Sequence, residues 1–417
     1  MNEFDRFLSE HQDVTRRFFV RAGAAGAALA GGALASHGAE PASELAVSLA
    51  KLESYFTAPE DFRDVSRGNP IPHSLPDEKK AEVGLTRETW KLEIVGDPEY
   101  QPDIRNPLTK ENGNALNFAR LLELGKKHAV KFPKVMTCLN IGCPLGMGIW
   151  EGVPLRELFW LTQPRGDVRR IYYHGYHNDD PRQMFRSSLP LDRVLEDPDD
   201  LPPVIVCYKL NGQWLTPKRG GPVRMVVPEA YGFKSVKWLQ RIIITNLYHA
   251  NDTYAEGNND IDSRLKTWAA TLSIPKKVKV GQPIPVTGYA QVGISGLRKV
   301  QVWVHNDDTP SPSDDKYFAN APWKDAEILP PPVKWGGGLA DGTIPAGTLG
   351  LEIGKPVQWP LRLTKAHWAT LLTGLPSGKY TFRSRTIDEK GSPQPMPRPF
   401  RKSGHAEIEQ VRFEVED

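Results

Sequence analysis

The chain has 417 residues, of which 39% are hydrophobic and 25% are charged, a balance that is typical of a folded globular protein. This length exceeds one ordinary core, so we expect two folded domains with additional segments. Lys and Arg number 53 against 50 Asp and Glu, and the net charge of +3 provides no strong field for nucleic acid or an anionic membrane. A bound anion must therefore be held by a local group of cations. The 37 prolines and 36 glycines favour short strands and loops over a helical bundle.

The N-terminal segment has the features of an export signal. Arg16 and Arg17 precede two phenylalanines and an Ala/Gly-rich stretch that ends in Ala33-Leu34-Ala35, a pattern of small residues around one larger residue that is typical of a signal cleavage site. The apolar stretch is shorter than the roughly 20 residues that span a bilayer, so we expect no permanent membrane anchor. We predict that residues 1–40 are a twin-arginine signal and that the mature protein is periplasmic. That route carries folded proteins, which suits a chain that acquires a bulky cofactor in the cytoplasm.

Two of the three cysteines, Cys138 and Cys143, lie in the Gly-rich segment VMTCLNIGCPLGMG. An odd number of thiols builds no dense disulfide framework, and no second Cys-x-x-Cys or His-x-x-x-His motif that would complete a zinc site lies nearby. Glycine-rich loops let the backbone approach a ligand closely. The remaining interpretation is one thiolate that ligates a cofactor metal, with both cysteines open as candidates. Cys207 instead lies in the apolar run PPVIVCYKLNG, which is typical of a buried strand.

The pattern changes beyond residue 265. Val300, Val302 and Val304 alternate with polar residues, and the C-terminal EQVRFEVED repeats this alternation. A period of two is typical of half-buried strands, so we predict a β-sandwich. The Pro/Gly-rich segment PPPVKWGGGLADGTIPAGTLG, residues 330–350, is predicted to be a long loop.

Residues 208–245, YKLNGQWLTPKRGGPVRMVVPEAYGFKSVKWLQRIIIT, resemble the cofactor-binding segment of the sulfite oxidase family of molybdopterin enzymes. That family has a Tyr-x-x-Asn-Gly turn before a Gly-x-Pro-Val-Arg strand and a Val-Lys-Trp-Leu strand. The resemblance implies an α+β, mostly β fold, with a molybdopterin-binding catalytic α+β domain over residues 50–262. An immunoglobulin-like β-sandwich over residues 265–417 would follow it and form a homodimer. The implied cofactor is molybdenum–molybdopterin.

The same resemblance implies roles for individual residues. Cys138, which ends a predicted strand ahead of a Trp-x-Gly-Val-Pro-Leu helix start, corresponds to the molybdenum-ligating cysteine, and Cys143 is the lesser candidate. Tyr208 corresponds to the active-site tyrosine, whose hydroxyl can hydrogen-bond an oxygen atom of the metal or substrate. Its alternative role is that of a strand-end residue packed against the loop. No arginine lies between Cys138 and Arg156, where the family carries a substrate-binding arginine, so we expect Arg67 to compensate as a catalytic residue.

Further residues are predicted to bind the cofactor. They are Asn69, His73, Asn140, His177, Asp179, Ser188, Arg219, Arg224, Lys234 and Lys237. Arg224 and Lys237 are the preferred phosphate ligands, because each is flanked by apolar strand residues and would be costly to bury without a partner.

The implied activity is oxygen-atom transfer at sulfur, with sulfite oxidised to sulfate and electrons passed to an external c-type cytochrome. The expected substrate is a small sulfur oxyanion or a sulfoxide. One alternative is therefore a sulfoxide reductase of the same family, acting on oxidised methionine or a similar compound. Another is an exported, dimeric binding module that has kept the fold and lost the metal.

Overall fold

A computed structural model describes residues 40–141, 143–198, 200–310, 318–339, 342–394 and 398–417. Arg16 and Arg17 of the predicted export signal lie outside these described residues. No helix within the described ranges has both the length and the apolar character needed to cross a membrane.

The fold is mostly β with a few short helices, which confirms the predicted fold class. The helices are α1 (Glu40–Ala50), α2 (Asp77–Glu82), α3 (Phe118–His128), α4 (Leu155–Trp160) and α5 (Leu191–Leu195). Short 3-10 turns cover Pro72–Ser74, Pro181–Gln183, Pro217–Arg219, Gly232–Lys234 and Ala255–Gly257.

The strands fall into two groups along the chain. The first group is β1 (Lys91–Gly96), β2 (Asp103–Ile104), β3 (Leu116–Asn117), β4 (Val130–Thr137), β5 (Pro144–Pro154), β6 (Pro164–Gly166), β7 (Arg170–Gly175), β8 (Arg186–Pro190), β9 (Ile205–Leu210), β10 (Gln213–Trp214), β11 (Arg224–Val226) and β12 (Leu239–Thr245). The second group is β13 (Trp268–Ser273), β14 (Lys277–Lys279), β15 (Ile284–Gln291), β16 (Lys299–Asn306), β17 (Lys324–Ile328), β18 (Leu351–Glu352), β19 (Lys355–Pro356), β20 (Lys365–Leu372), β21 (Gly378–Ile387) and β22 (Gln410–Glu416).

Ten strands of the first group form two five-stranded sheets that pack face to face, and β2 pairs separately with β6. One sheet has the order β3-β1-β12-β7-β8, and the other has the order β10-β9-β5-β4 with β11 added beside β9. Leu92 and Ile242 of the first sheet share one apolar core with Val206 and Met225 of the second. The opposite face of the second sheet carries a separate apolar cluster that includes Trp150. Successive residues of a strand point to opposite faces, so this sheet has one face in the main core and one toward the candidate site.

The second group forms the predicted β-sandwich. Its strands follow the order β13-β15-β20-β17-β16-β21-β22-β14, and β17 pairs with both β16 and β20, which joins the two layers. The alternating Val300, Val302 and Val304 of β16 enter one core with Trp368 and Phe382. The predicted loop at residues 330–350 has no named helix or strand in its described part, and the β18–β19 hairpin follows directly after it.

Part of this Pro/Gly-rich stretch packs on the first group of strands. The ring of Trp335 stacks on Phe56 with centroids 5.0 Å apart, and Asn211 Nδ2 donates to the carbonyl of Gly337 at 2.7 Å. A direct side-chain contact, from Thr137 Oγ1 to Gln291 Oε1 at 2.6 Å, ties the end of β4 to the sandwich. These contacts fix the end of β4, where the candidate site begins.

Candidate active site

A cavity of about 270 Å³, here called the Cys138 cavity, lies on the face of the second sheet that carries Trp150. It is rich in cations and in aromatic rings. The cations are Arg63, Arg67, Arg219, Arg224 and Lys237. The aromatic residues are Phe62, Trp150, Tyr176, Phe185, Phe233, Trp238 and Tyr254. Such a lining suits a ligand that combines a flat body with negative charge.

Cys138 directly follows β4 and lines the cavity with a partly exposed thiol. Within the residues that the structure describes, no group of three or more His, Cys, Asp or Glu is arranged to hold a metal ion. A structural zinc site needs about four such ligands. A single thiolate donor therefore suits a metal that brings most of its own ligands.

The other two cysteines are less suited to this role. Cys143 lies outside the cavity lining, and its Sγ accepts a hydrogen bond from Arg63 Nη1 at 3.4 Å. Cys207 is fully buried in β9, and burial raises the pKa of its thiol to about 12. The structure thus brings only Cys138 of the three thiols to the cavity, in line with the preference of the sequence analysis.

Arg219 and Arg224 form a buried cationic end of the cavity and are only 3% and 5% exposed. Arg224 donates from Nη1 to the carbonyl of Arg219 at 2.9 Å and from Nη2 to the carbonyl of Ser235 at 2.6 Å. Among the described residues, Nε of both arginines and Nη2 of Arg219 have no hydrogen-bond partner. Burial lowers the pKa of Arg224 to about 10 and also lowers the pKa of Arg219. An anion in the cavity would satisfy these donors and compensate the burial cost.

Lys237 belongs to the same end of the cavity but has partners. Its Nζ donates to Asp64 Oδ1 at 2.9 Å, to Ser66 Oγ at 2.7 Å and to the carbonyl of Lys218 at 2.8 Å. Burial, assisted by the charge of Arg224, lowers the pKa of Lys237 to about 7, although Asp64 opposes this shift. Lys237 therefore fixes the wall formed by residues 62–67, and this charge is less available to a ligand than those of the two arginines.

His73 reaches the cavity only through Asp64, because its Nε2 lies 2.8 Å from Asp64 Oδ2. Burial pushes the pKa of Asp64 upward, but Ser66, Lys237 and His73 together outweigh this effect and leave that pKa well below its usual value. His73 is thus a neighbour of the cavity wall, although the sequence analysis placed it among the cofactor ligands.

A second polar group lies beside Cys138 and contains Arg67, Asn140 and Tyr254. The hydroxyl of Tyr254 accepts hydrogen bonds from Arg67 Nη2 at 2.9 Å and from Asn140 Nδ2 at 3.3 Å. The predicted residues Arg67 and Asn140 therefore do meet at the cavity. Sequence reasoning missed Tyr254, because the residues around it form no motif and nothing local reveals that it faces the other two.

The structure corrects the predicted placement of Tyr208. Its side chain belongs to the core between the two sheets and not to the cavity lining. A Cβ at Gly125 of α3 would lie 2.7 Å from the Tyr208 hydroxyl, so the ring packs directly on this helix. Cys207 is the neighbour that faces the cavity side, and period-two alternation directs Tyr208 the other way. The alternative role, a packed strand residue, fits the structure.

Ser188 and Lys234 also lie away from the Cys138 cavity, in a buried cluster around Asp252. Lys234 Nζ donates to Asp252 Oδ2 at 2.6 Å and to the carbonyl of Ser188 at 2.8 Å. Ser187 Oγ donates to Asp252 at 2.9 Å, and Ser188 Oγ donates to the same carboxylate. These two predicted cofactor ligands therefore have protein partners, which corrects their predicted placement.

The remaining predicted ligands do not line the cavity either. Asn69 lies next to it and is held through its backbone, whose N–H donates to Gln183 Oε1 at 2.8 Å. His177 packs against the ring of His174 with centroids 5.3 Å apart, and Asp179 is exposed in a turn with φ 54°. Their positions depend on how the loops fold against the cavity wall, which the local sequence pattern does not reveal.

Comparison with known proteins relates part of this chain to a family. Residues 85–253 match the family described as an oxidoreductase molybdopterin binding domain. A nitrate reductase (NADPH) of Neurospora crassa is 28% identical over 232 residues, which cover 49% of this chain and 22% of that protein. A nitrate reductase (NADH) of Volvox carteri is 34% identical over 121 residues, which cover 26% of this chain and 14% of that protein. The matches thus span less than a quarter of these relatives' length.

Among solved structures, the sulfane dehydrogenase SoxCD of Paracoccus pantotrophus has a similar fold. The superposition has a TM-score of 0.54 and 18% sequence identity, and it covers 83% of this chain and 86% of that chain. At this identity the likeness concerns the fold. It extends over more of the chain than the family match at residues 85–253.

Proposed function

Because this chain belongs to the family of molybdopterin-binding oxidoreductases, we propose that it oxidises a small sulfur oxyanion, sulfite, to sulfate. Its cofactor is molybdenum–molybdopterin. The observation that carries the proposal is the convergence of Arg67, Asn140 and Tyr254 beside Cys138. This group offers a cation and a hydroxyl next to the one thiol of the cavity.

The residues of the Cys138 cavity fit that cofactor. The thiolate of Cys138 would ligate the metal. The N–H groups of Arg219 and Arg224 that have no partner in the described part of the chain would bind the phosphate of the pterin. When bound, the cofactor supplies oxygen-atom transfer and exchange of two electrons. The protein contributes a positively charged pocket whose buried arginines have N–H groups without a partner among the described residues.

Tyr254 is the residue best placed to recognise a substrate oxygen. Its hydroxyl already accepts two hydrogen bonds, from Arg67 and Asn140. A phenolic oxygen that accepts from two donors still has its own proton to donate. A hydrogen bond from the Tyr254 hydroxyl, together with the positive charge of the adjacent Arg67, would stabilise an oxyanion in the cavity.

The overall reaction takes up one water for each sulfite and yields sulfate, two protons and two electrons. The sulfur gains the oxygen and is oxidised, and the electrons leave to a separate acceptor. We propose a c-type cytochrome for this acceptor, since a soluble one-electron carrier would take the two electrons in separate steps.

Nitrate reduction is the second candidate. The two relatives described above are nitrate reductases, and nitrate is also a small oxyanion that Arg67 and Tyr254 could bind. In that direction the substrate would lose an oxygen atom and the enzyme would consume electrons.

Steady-state assays of the purified holoenzyme distinguish these candidates. We expect sulfite to reduce added cytochrome c, whereas nitrate and methionine sulfoxide should not oxidise a reduced viologen dye. Turnover of nitrate or of the sulfoxide without turnover of sulfite would overturn the proposal. Absence of molybdenum and pterin from the purified protein would instead favour a binding module without catalysis.

We also propose export by the twin-arginine route to the periplasm and a homodimer formed through the sandwich. Replacing Arg16 and Arg17 together with Lys should leave folded protein in the cytoplasm, which cell fractionation would detect. The mature protein should sediment as a dimer at micromolar concentration. A monomer at that concentration would contradict the second of these proposals.

A further inference from the structure

We infer that Gln183 and Phe185 are positioning residues that hold Arg67 in place for an anionic substrate, an inference that rests on the proposed function. Both residues line the Cys138 cavity. They belong to the segment of residues 178–185, which crosses the loop that carries Arg67. Neither is expected to contact the reacting atoms, and their effect is exerted through the guanidinium of Arg67.

Gln183 binds the backbone of this loop at two points. The N–H of Asn69 donates to Gln183 Oε1 at 2.8 Å, and Gln183 Nε2 donates to the carbonyl of Asn69 at 3.3 Å. Asn178 Nδ2 adds a hydrogen bond to the carbonyl of Pro70 at 2.8 Å. The backbone two residues beyond Arg67 is therefore fixed against the cavity wall, although the loop itself is exposed.

Phe185 holds the side chain of Arg67. The Cζ atom of Arg67 lies 4.9 Å from the centroid of the Phe185 ring and 5.2 Å from that of Tyr254. The rings of Phe185 and Tyr254 meet edge to face, with centroids 5.1 Å apart and planes at 89°. The guanidinium is thus bracketed by two rings that also support each other, while Nη2 bonds the Tyr254 hydroxyl.

This bracket matters because Arg67 lies on an exposed loop. An arginine side chain has many rotamers, and ordering them on ligand binding reduces affinity. A guanidinium that already faces the cavity avoids that cost. Loss of the bracket should therefore weaken the binding of anions and leave the subsequent chemistry largely unchanged.

The test uses the holoenzyme and three single variants, Phe185→Leu, Phe185→Tyr and Gln183→Ala. Phe185→Leu removes the aromatic face and retains apolar bulk, so the KM for sulfite should rise about fivefold, as expected for one cation–π contact, with kcat within about twofold. Phe185→Tyr keeps the aromatic face and should therefore keep the wild-type KM. Gln183→Ala should raise KM by a similar factor because the loop backbone is released.

A double-mutant cycle with Arg67→Ala separates positioning from general packing. If Phe185 acts through Arg67, Phe185→Leu should have almost no further effect on KM in the Arg67→Ala background. An equal effect in both backgrounds, or an unchanged KM in Phe185→Leu, would overturn the inference.

Sulfate binding to the holoenzyme, measured by calorimetry, keeps the two proposals distinguishable. If the wild-type enzyme does not oxidise sulfite, the proposed reaction fails. The positioning role still stands if Arg67→Ala and Phe185→Leu both bind sulfate less tightly than wild type does. If sulfate binds equally well without Arg67, the positioning role is wrong whatever the enzyme oxidises.

Discussion

The two groups of buried cations beside the Gly232–Lys234 turn differ in what their donors contact. On one side Arg219 and Arg224 line the Cys138 cavity and retain N–H groups without a partner among the described residues. On the other side Lys234 is bonded to Asp252 and to the carbonyl of Ser188. All three are at least nine-tenths buried. Burial of a cation therefore indicates a ligand site only where unused donors also face a cavity.

The Asp252 cluster shows how a protein neutralises such a charge internally. Asp252 is fully buried and accepts from Lys234, Ser187 and Ser188. A buried ion pair of this kind contributes little net stability compared with apolar packing, but losing one partner leaves an uncompensated charge. Mutation of Arg219 or Arg224 should therefore affect mainly ligand binding, whereas mutation of Lys234 should affect mainly stability.

The largest expected effect concerns the thiol of Cys138, the predicted metal ligand of the Cys138 cavity. Cys138→Ser should lower turnover by more than about a hundredfold and change the molybdenum absorption spectrum, because an alcohol is a far poorer metal donor than a thiolate. Cys143→Ser is the matched control and should keep most activity, since Cys143 does not line the cavity and only contacts one of its lining residues, Arg63. The reverse ranking would transfer the ligand role to Cys143.

The next largest effect is expected for Lys234, whose charge is neutralised by Asp252. Lys234→Met leaves Asp252 buried without its cation, so the free energy of unfolding should fall by about 3–5 kcal/mol, as urea unfolding would show. Lys126→Met is the control, because the Lys126–Glu123 pair is exposed and such pairs contribute at most about 1 kcal/mol. Molybdenum content per folded molecule should be unchanged in both variants. A stable Lys234→Met protein that lacks the cofactor would place Lys234 with Arg219 and Arg224.

These contrasts also show what the sequence could and could not predict. The alternating valines of β16 and the motif-rich segment at residues 208–245 correctly predicted a sandwich and a molybdopterin-binding domain. Cys138, Arg219 and Arg224 were placed at the cavity because each lies beside a strand end or in a motif. Such local signals depend on only a few neighbouring residues.

The failures have a different cause. Lys234 and Arg224 look alike in sequence, and only the fold brings Asp252 to one of them. Tyr208 was assigned to the wrong side of its strand, because a one-residue step in a strand reverses the face. Tyr254 meets Arg67, from which it is separated by 187 positions. Partners that are distant in the chain were thus the information that the sequence lacked.

A smaller effect is expected for Arg219, whose Nε and Nη2 groups have no partner among the described residues. Arg219→Gln should lower molybdopterin affinity about tenfold or more, since a hydrogen bond to a charged group is worth about 1.5–3 kcal/mol. Stability should change little, because Nε and Nη2 have no protein partner among the described residues. The exposed neighbour Lys218 provides the control variant Lys218→Gln. Pterin fluorescence after denaturation would measure retained cofactor, and equal retention in both variants would remove Arg219 from the site.

His367 of the sandwich provides the smallest and most selective test, because it has an unused buried nitrogen but does not line the Cys138 cavity. Its Nε2 has no partner among the described residues, and its ring lies 4.5 Å from that of Tyr55. Burial lowers the pKa of His367 to about 3, below its value in the unfolded chain. The unfolded state therefore binds more protons, and stability that is present above about pH 6.5 is lost as the pH falls.

His367→Phe should remove this acid sensitivity without affecting the cofactor. In wild type, His367 should reduce the free energy of unfolding by about 2 kcal/mol between pH 8 and pH 5, and the variant should lack that part of the decrease. Exposed His249 gives the control His249→Phe, whose pH profile should follow wild type. If His367→Phe instead lost molybdenum, an unused buried nitrogen would indicate a ligand site even away from the Cys138 cavity, and the distinction between the two cation groups would fail. If the variant retains the cofactor and only its stability at low pH changes, an unused buried nitrogen alone does not indicate a ligand site. It must also face a cavity.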